Sequence, residues 1–221
     1  MLAKDPVAGQ VKTRLCPPCT PEEAAAFATA FLRDTSAMLM TRRIADRADV
    51  WCSHTGTSAL LQDLFGDRML QQRGADLSER ITNLTQDLFA KGYEHVVVMC
   101  ADCPTVTPEY LENAMDMLTD SDIVFGPARD GGCVLVGVTR PETSVFSGVV
   151  MSTDHVLDDM VRVAESRSLT FHVLSPRFDI DTVVDLTAAQ NSGELEGARH
   201  TQAALADSPL VKSTGVGSSG Q

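Results

Sequence analysis

The sequence predicts one three-layer α/β domain, doubly wound around a mostly parallel sheet. Two observations carry that prediction. Helix-start signals with amphipathic stretches alternate along the chain with short β-branched runs. The most strand-like run, His95-Val96-Val97-Val98-Met99-Cys100, is continuously apolar after its first residue, as a strand covered on both faces must be. A chain of 221 residues with 43% apolar content can bury one good core. The domain is expected over residues 1–190. Residues 191–221 are Gly, Ser, Ala and charge without periodicity, and are expected to form a disordered polar tail.

The elements follow in order. Only Met1-Leu2-Ala3 precedes the loop Lys4–Leu15, so the first strand reads as clipped: either the fold tolerates a three-residue stub, or the numbered start lies inside a longer first strand. Thr20-Pro21-Glu22-Glu23 reads as N-cap, N1 and a capping-box Glu at N3. Ala24, Phe27, Ala28 and Phe31 share a face, and the helix is expected to reach about Arg42, with Arg42 and Arg43 at its negative end. Asp49–Cys52 and Arg68–Gln72 are short strand candidates around a helix at Ser58–Phe65. Asp76 caps the next helix, whose expected buried stripe is Leu77, Ile81, Leu84 and Leu88, ending at Lys91-Gly92.

After the central run, Thr107-Pro108-Glu109 starts a helix with Leu111, Ala114, Met115 and Leu118 inward. Ile123–Phe125 and Cys133–Val138 are strands separated by Gly126-Pro127-Ala128-Arg129-Asp130-Gly131-Gly132, where Asp-Gly is a hairpin signal. Thr153 is the expected cap of a helix carrying Val156, Leu157, Met160, Val163 and Ala164. Leu169–Leu174 is a late strand, and Thr182 with Asp185 at N3 opens a short final helix.

The balance of 30 acidic against 18 basic residues gives a net charge of −12. That field opposes binding to nucleic acid or an anionic lipid surface. No run approaches the ~18 apolar residues of a membrane span, and the start does not read as a signal peptide, so the expected location is cytoplasmic. The six cysteines include two C-x-x-C pairs, Cys16/Cys19 and Cys100/Cys103. Their wide separation does not match a zinc ribbon, and Cys100 ends an apolar run, so structural thiols in a reducing compartment are the expectation. Cys19 precedes a helix start, which would acidify it and leave a redox role open for C-P-P-C.

Against this acidic background, the loop K-D-P-V-A-G-Q-V-K-T-R-L concentrates Lys4, Lys12 and Arg14 around Gly9. Glycine admits close backbone approach or positive φ, exposed N–H groups can line an anion cradle, and an arginine fork grips phosphate. The alternative is a solvated basic turn. Ligands of open α/β sheets bind beyond the carboxyl ends of the strands, where this loop belongs. Asp102 falls there too, directly after the central run, and Asp179 and Asp181 follow the late strand. Each aspartate alone suits an Asx turn or helix cap. Together with the cations they are the parts of a metal–phosphate site, in which carboxylates and phosphate oxygens share a hard cation. Gly131 and Gly132 leave room for a sugar or base beside Asp130, or simply make the hairpin. His54, His95, His155 and His172 are expected to be structural.

Five separated motifs, namely the K-D-P-V-A-G-Q-V-K-T-R-L loop, A-D-C-P, G-P-A-R-D-G-G, the Ser152-Thr153 pair and D-I-D-T-V-V-D-L, occur in one order over about residues 1–190. In this they resemble a bacterial glycosyltransferase-like family related to the 2-phospholactate and phosphoenolpyruvate guanylyltransferases. The resemblance implies the GT-A, or nucleotide-diphospho-sugar transferase, fold. It implies that Lys4, Gly9, Lys12 and Arg14 bind nucleotide phosphates and that Asp102, Asp179 and Asp181 hold Mg²⁺ or Mn²⁺. Lys12, Arg14 and Asp102 become the catalytic candidates, and Asp130, Gly131, Gly132, Ser152 and Thr153 the substrate pocket. Cys133 replaces an aromatic that is usual in the family, and Met151 a common Trp.

Two reactions fit such a site: attack on the α-phosphorus of an NTP, or on the sugar carbon of an NDP-sugar, each by a small-molecule acceptor. Three cations in one loop favour the larger triphosphate charge, while the resemblance favours sugar transfer. A third possibility of a different class is a nucleotide-binding protein without catalysis.

Overall fold

The computed structural model describes residues 1–56, 58–141, 145–151, 153–208 and 210. Its strands are β1 (Leu2–Ala3), β2 (Cys52–His54), β3 (Met69–Gln71), β4 (Val96–Met99), β5 (Ile123–Pro127), β6 (Cys133–Val138) and β7 (Phe171–Val173). Its helices are α1 (Pro21–Leu39), α2 (Arg42–Ala45), α3 (Ala59–Phe65), α4 (Leu77–Ala90), α5 (Pro108–Met117), α6 (Val156–Ser166), α7 (Val183–Asn191) and α8 (Arg199–Asp207).

Most helix starts obey local chemistry. Thr20 and Glu23 close a full capping box on α1, and Thr182 and Asp185 close another on α7. Ser58, Asp76 and Thr107 accept from the N3 amides of α3, α4 and α5. Helix α1 stops at Leu39 rather than running to Arg42. The Thr41 hydroxyl donates to Met38 O at 2.8 Å and Thr41 is extended, so the chain leaves the helix there. Arg43 then pairs with Glu109 and Glu112 on α5, a tertiary use that its place near a helix end does not reveal.

The strands β1, β2 and β3 are parallel, while β6 lies antiparallel between β4 and β5, and β7 runs parallel to β5. An isolated parallel bridge, Leu2 to Cys100, joins the two halves. The spatial order is therefore β3-β2-β1-β4-β6-β5-β7, with β6 reversed. Asp130-Gly131 sits in the β5–β6 hairpin, as its composition predicts.

Apolar clusters cover both faces of the sheet. Leu32 and Leu39 of α1 and Leu111 and Ala114 of α5 pack with Val124 and Leu135 on one face. Ile81, Leu84 and Leu88 of α4 and Met160 of α6 pack with Val98 and Phe125 on the other. The three layers follow from these alternating faces. Leu77 is not part of the stripe: as the first residue of α4 it is 37% exposed. Helix α6 is capped at His155, not Thr153. Cys100 is only partly buried.

The expected disordered tail is corrected as far as residue 210, apart from Pro209, which lies outside the described residues. Helix α8 packs on α1, and Leu195, Ala198 and Leu205 join Phe27 and Phe31 in a third buried cluster. The buried Asp34 carboxylate of α1 accepts from His200 N at 3.0 Å and from Thr201 N and Oγ1 at 2.7 Å each. A cap supplied from the far end of the chain leaves no local signal. No helix among the described residues is long and apolar enough to cross a membrane.

Candidate active site

The basic loop leaves β1 at Lys4 and turns through Val7–Gln10, where Gln10 N donates to Val7 O at 3.0 Å. Gly9 has φ +76, with no atom within 4 Å of where a Cβ would stand. Its requirement is thus the left-handed backbone and not a close neighbour. Lys12 is itself left-handed (φ 47, ψ 36), and a 3-10 turn, Thr13–Leu15, follows. Leu15 is fully buried against Phe27, Phe31 and Ile180. A two-residue strand thus carries a firm loop, because Leu15 anchors it from the far side.

Lys12 is the centre of the site. Its side chain is 5% exposed, and Nζ lies 2.8 Å from Asp102 Oδ2 and 2.9 Å from Asp181 Oδ1. Arg14 Nη1 meets the other Asp181 oxygen at 2.9 Å, with its own side chain 66% exposed. Burial opposes the Lys12 charge, but Asp102, Asp179 and Asp181 more than offset it and raise the amine above its ordinary range. Asp181 is likewise opposed by burial and held below the usual carboxylate range by Lys12 and Arg14. Lys4 is exposed and lines, with Lys12, Arg14, Asp102 and Asp181, a cavity of about 170 Å³.

Asp179 behaves differently. Burial, followed by the charges of Asp181, Asp102 and Asp130, pushes it up to about 7 against the pull of Lys12. The Cys103 thiol donates toward its Oδ1 at 3.9 Å. Neither Asp179 nor Asp181 caps α7, since Thr182 does. Two hydroxyls position the loops without a sequence signal. Thr35 in α1 donates to Ala101 O at 3.0 Å, and Thr105 donates to Phe178 O at 2.8 Å, tying the Asp102 loop to the Asp179 segment.

The structure therefore brings Lys12, Arg14, Asp102, Asp179 and Asp181 together, with Lys4 at the edge and Asp130 within electrostatic range. The expected glycine pocket needs correction at Gly131. A Cβ there would stand 2.0 Å from Asp154 O, so the space belongs to the protein's own backbone. Asp130 Oδ1 accepts from Gly132 N at 3.1 Å, bracing the hairpin. Thr153 is exposed, and its hydroxyl meets Val150 O at 3.4 Å; Ser152 lies outside the described residues. Cys19 is corrected as well: burial, then Glu23 and Cys16, raise its thiol rather than acidify it. All six cysteines are free thiols.

The carboxylate oxygens are hard donors of the kind Mg²⁺ and Mn²⁺ take. Among the described residues, however, no three His, Cys, Asp or Glu side chains are arranged as they stand to hold an ion. Lys12 Nζ takes the oxygens of Asp102 and Asp181 that an ion would use. Burial, with the neighbouring carboxylates adding to it, keeps Asp179 raised despite Lys12. The donor chemistry fits a divalent cation; the side-chain arrangement is the one that holds Lys12.

A family model described as an uncharacterized protein conserved in bacteria (DUF2064) matches residues 37–153. The 2-phospho-L-lactate guanylyltransferase of Methanothermobacter thermautotrophicus is 25% identical over 191 residues, covering 85% of this chain and 82% of the relative. That of Halorubrum lacusprofundi is 28% identical over 197 residues, covering 84% and 82%. Among solved structures, a protein of Desulfovibrio desulfuricans G20 described as a presumed nucleotide-diphospho-sugar transferase superposes with TM-score 0.78 at 27% identity. It covers 92% of this chain and 94% of its own. A cytidylyltransferase from Leptospira borgpetersenii, at 12% identity and TM-score 0.53, covers 100% and 96% and shares the fold. The architecture is that of the nucleotide-diphospho-sugar transferases.

Proposed function

The chain belongs to the DUF2064 family, and from its relatives named as guanylyltransferases and the geometry of the site we propose that it transfers a nucleotidyl group from an NTP to a small acceptor. Its relatives are named as transferases, and the chain is a transferase. The observation that carries the finer reading is Lys12, almost fully buried yet bonded to two carboxylates from two other loops. Such a cation is already desolvated and aimed, so exchanging a carboxylate for a phosphate oxygen needs little reorganisation. The curated relatives named as guanylyltransferases support nucleotidyl transfer.

In this reading Lys12 and Arg14 hold the β- and γ-phosphates, with Lys4 at the rim. Asp102, Asp179 and Asp181 are the residues that would hold Mg²⁺ or Mn²⁺, which when bound neutralises phosphate oxygens and polarises the α-phosphorus. Arg14, exposed and forked, orients the leaving pyrophosphate. Leu15 and the buried face of α1 keep the loop in one position, which limits misalignment of the reacting atoms.

The test is a panel of the four NTPs with Mg²⁺ or Mn²⁺ and phosphorylated small acids as acceptors, scored by pyrophosphate release. NTP-dependent pyrophosphate release supports the reading. A second reading, glycosyl transfer, draws on the Desulfovibrio desulfuricans structure described as a presumed nucleotide-diphospho-sugar transferase. Release of NDP from an NDP-sugar, with no pyrophosphate from any NTP, replaces the first reading by the second. Nucleotide binding without turnover in either assay replaces both by a binding protein.

A further inference from the structure

The turn that carries Asp102 is bracketed by two thiols. Strand β4 ends at Met99, Ala101 and Asp102 are turn residues, and Cys100 and Cys103 stand on either side of them. Residues three apart across a turn lie within about 7 Å, Cα to Cα, and a disulfide spans about 4.4–6.8 Å. The side chains also meet. Hydrogen bonding to Cys100, followed by burial, raises the Cys103 thiol well above its ordinary range. Both are free thiols, and they differ in access: Cys103 is fully buried, whereas Cys100 is only partly buried. Cys103 Sγ donates toward Asp179 Oδ1 at 3.9 Å, so the pair flanks Asp102 in sequence and touches Asp179 in space.

We propose that Cys100 and Cys103 are an oxidative modification site for a peroxide, and that the disulfide they form turns the candidate active site off reversibly. The disulfide is independent of the transferase reading; its effect on turnover rests on that reading. The more accessible Cys100 sulfur attacks one oxygen of hydrogen peroxide, the O–O bond breaks, and Cys100 becomes a sulfenic acid as water leaves. The Cys103 sulfur then attacks the Cys100 sulfur, the S–O bond breaks, and a second water leaves with the Cys103 proton. Two thiols together lose two electrons, and one peroxide is reduced to two waters. Burial keeps Cys103 from meeting the oxidant directly and suits it to the second step.

The consequence follows from what holds the turn. Cys100 N donates to Val134 O at 3.3 Å, Ala101 N donates to Leu2 O at 2.9 Å, and Ala101 O accepts from Thr35 at 3.0 Å. The sheet side of the turn is thus fixed, so drawing the two sulfurs into a bond moves Asp102 and Cys103. Asp102, 47% exposed, then loses its place 2.8 Å from Lys12 Nζ. Asp179 loses the thiol that donates to it. Misplacement of a reacting group by ~1 Å can cost about a hundredfold in rate.

The test exposes the full chain to hydrogen peroxide in thiol-free buffer, alkylates the remaining thiols and maps the peptides by mass. A Cys100–Cys103 link, lighter by two hydrogens and reversed by dithiothreitol, is expected before any other. Pyrophosphate release is expected to fall at least roughly tenfold with it and to return on reduction. Cys100→Ser is expected to keep the rate of the reduced chain and to lose the response to peroxide. The map of the unaltered chain decides the disulfide even if that variant fails to fold. In a crystal structure of the oxidised chain, Lys12 Nζ and Asp102 Oδ2 are expected to stand more than about 4 Å apart, beyond an ion pair. A Cys16–Cys19 or Cys100–Cys133 link in its place, over-oxidation of Cys100 with no link, or a response retained by Cys100→Ser overturns the proposal. So does a link that leaves the rate and that separation unchanged. No pyrophosphate release from the reduced chain counts against the transferase reading alone, because the map and the separation are read without turnover.

Discussion

Lys12 Nζ stands 2.8 Å from Asp102 Oδ2, joining the loop that follows β1 to the loop that follows β4. With Asp181 as its second partner, one amine bridges loops from both halves of the sheet. Binding and stability are therefore coupled at Lys12 and separable at the residues around it.

Lys12→Met and Arg14→Ala are expected to behave differently. Removing the buried Lys12 charge leaves Asp102, Asp179 and Asp181 without it and is expected to cost about 1–3 kcal/mol, below the full value for a buried pair because the acids are partly exposed. Arg14 is 66% exposed, so its loss is expected to leave Tm within about 1 °C while weakening NTP affinity roughly tenfold. Thermal melts and nucleotide titrations of both variants check this. Equal Tm losses contradict it.

Asp102→Ala is expected to abolish metal-dependent turnover with little loss of folding, since its side chain is 47% exposed. Steady-state rates with and without EDTA, alongside circular dichroism, decide the matter. Surviving turnover removes Asp102 from the metal assignment.

Asp179→Asn is expected to stabilise the protein in EDTA while lowering turnover. Because the folded-state pKa is raised to about 7, the wild-type carboxyl contributes favourably only while protonated. That contribution is whole below the ordinary carboxylate range and is lost as pH rises through about 7. The Tm advantage of Asp179→Asn over wild type should therefore be absent near pH 4 and grow toward pH 8. A pH-independent difference shows that the group titrates normally in the fold.

Asp34→Ala is expected to free α8 from α1. The carboxylate holds two amides and a hydroxyl of the His200-Thr201 turn, worth about 1–3 kcal/mol if left unsatisfied. Limited proteolysis should then cut between Leu195 and Leu205 before the rest of the chain, whereas wild type resists. Unchanged cleavage means that the apolar contacts of Leu205 suffice alone.

The site was legible in the sequence as far as its parts were local. A basic Gly loop, Asp102 after a β-branched run and the Asp179–Asp181 segment each announce a strand end, and the sheet gathers strand ends at one edge. What the residues around them do was not legible. Leu15 looks like any loop leucine, and Thr35 like any helical threonine, until the fold sets them beside Ile180 and Ala101 O. Gly131 shows the same limit from the other side: its composition allows a ligand, and only the approach of the Asp154 backbone assigns the space.

By itself the sequence determined the α/β class, the capping boxes at Thr20 and Thr182 and the hairpin at Asp130-Gly131, and it named the cations and acids of the candidate site, because periodicity, capping and turn chemistry act over a few residues. The tertiary structure decided that Lys12 is buried between Asp102 and Asp181, that Asp179 is raised while Asp181 is lowered, and that the chain's last helix is anchored by Asp34. Those outcomes depend on burial and on charges brought together from distant positions, and neither quantity exists until the layers close.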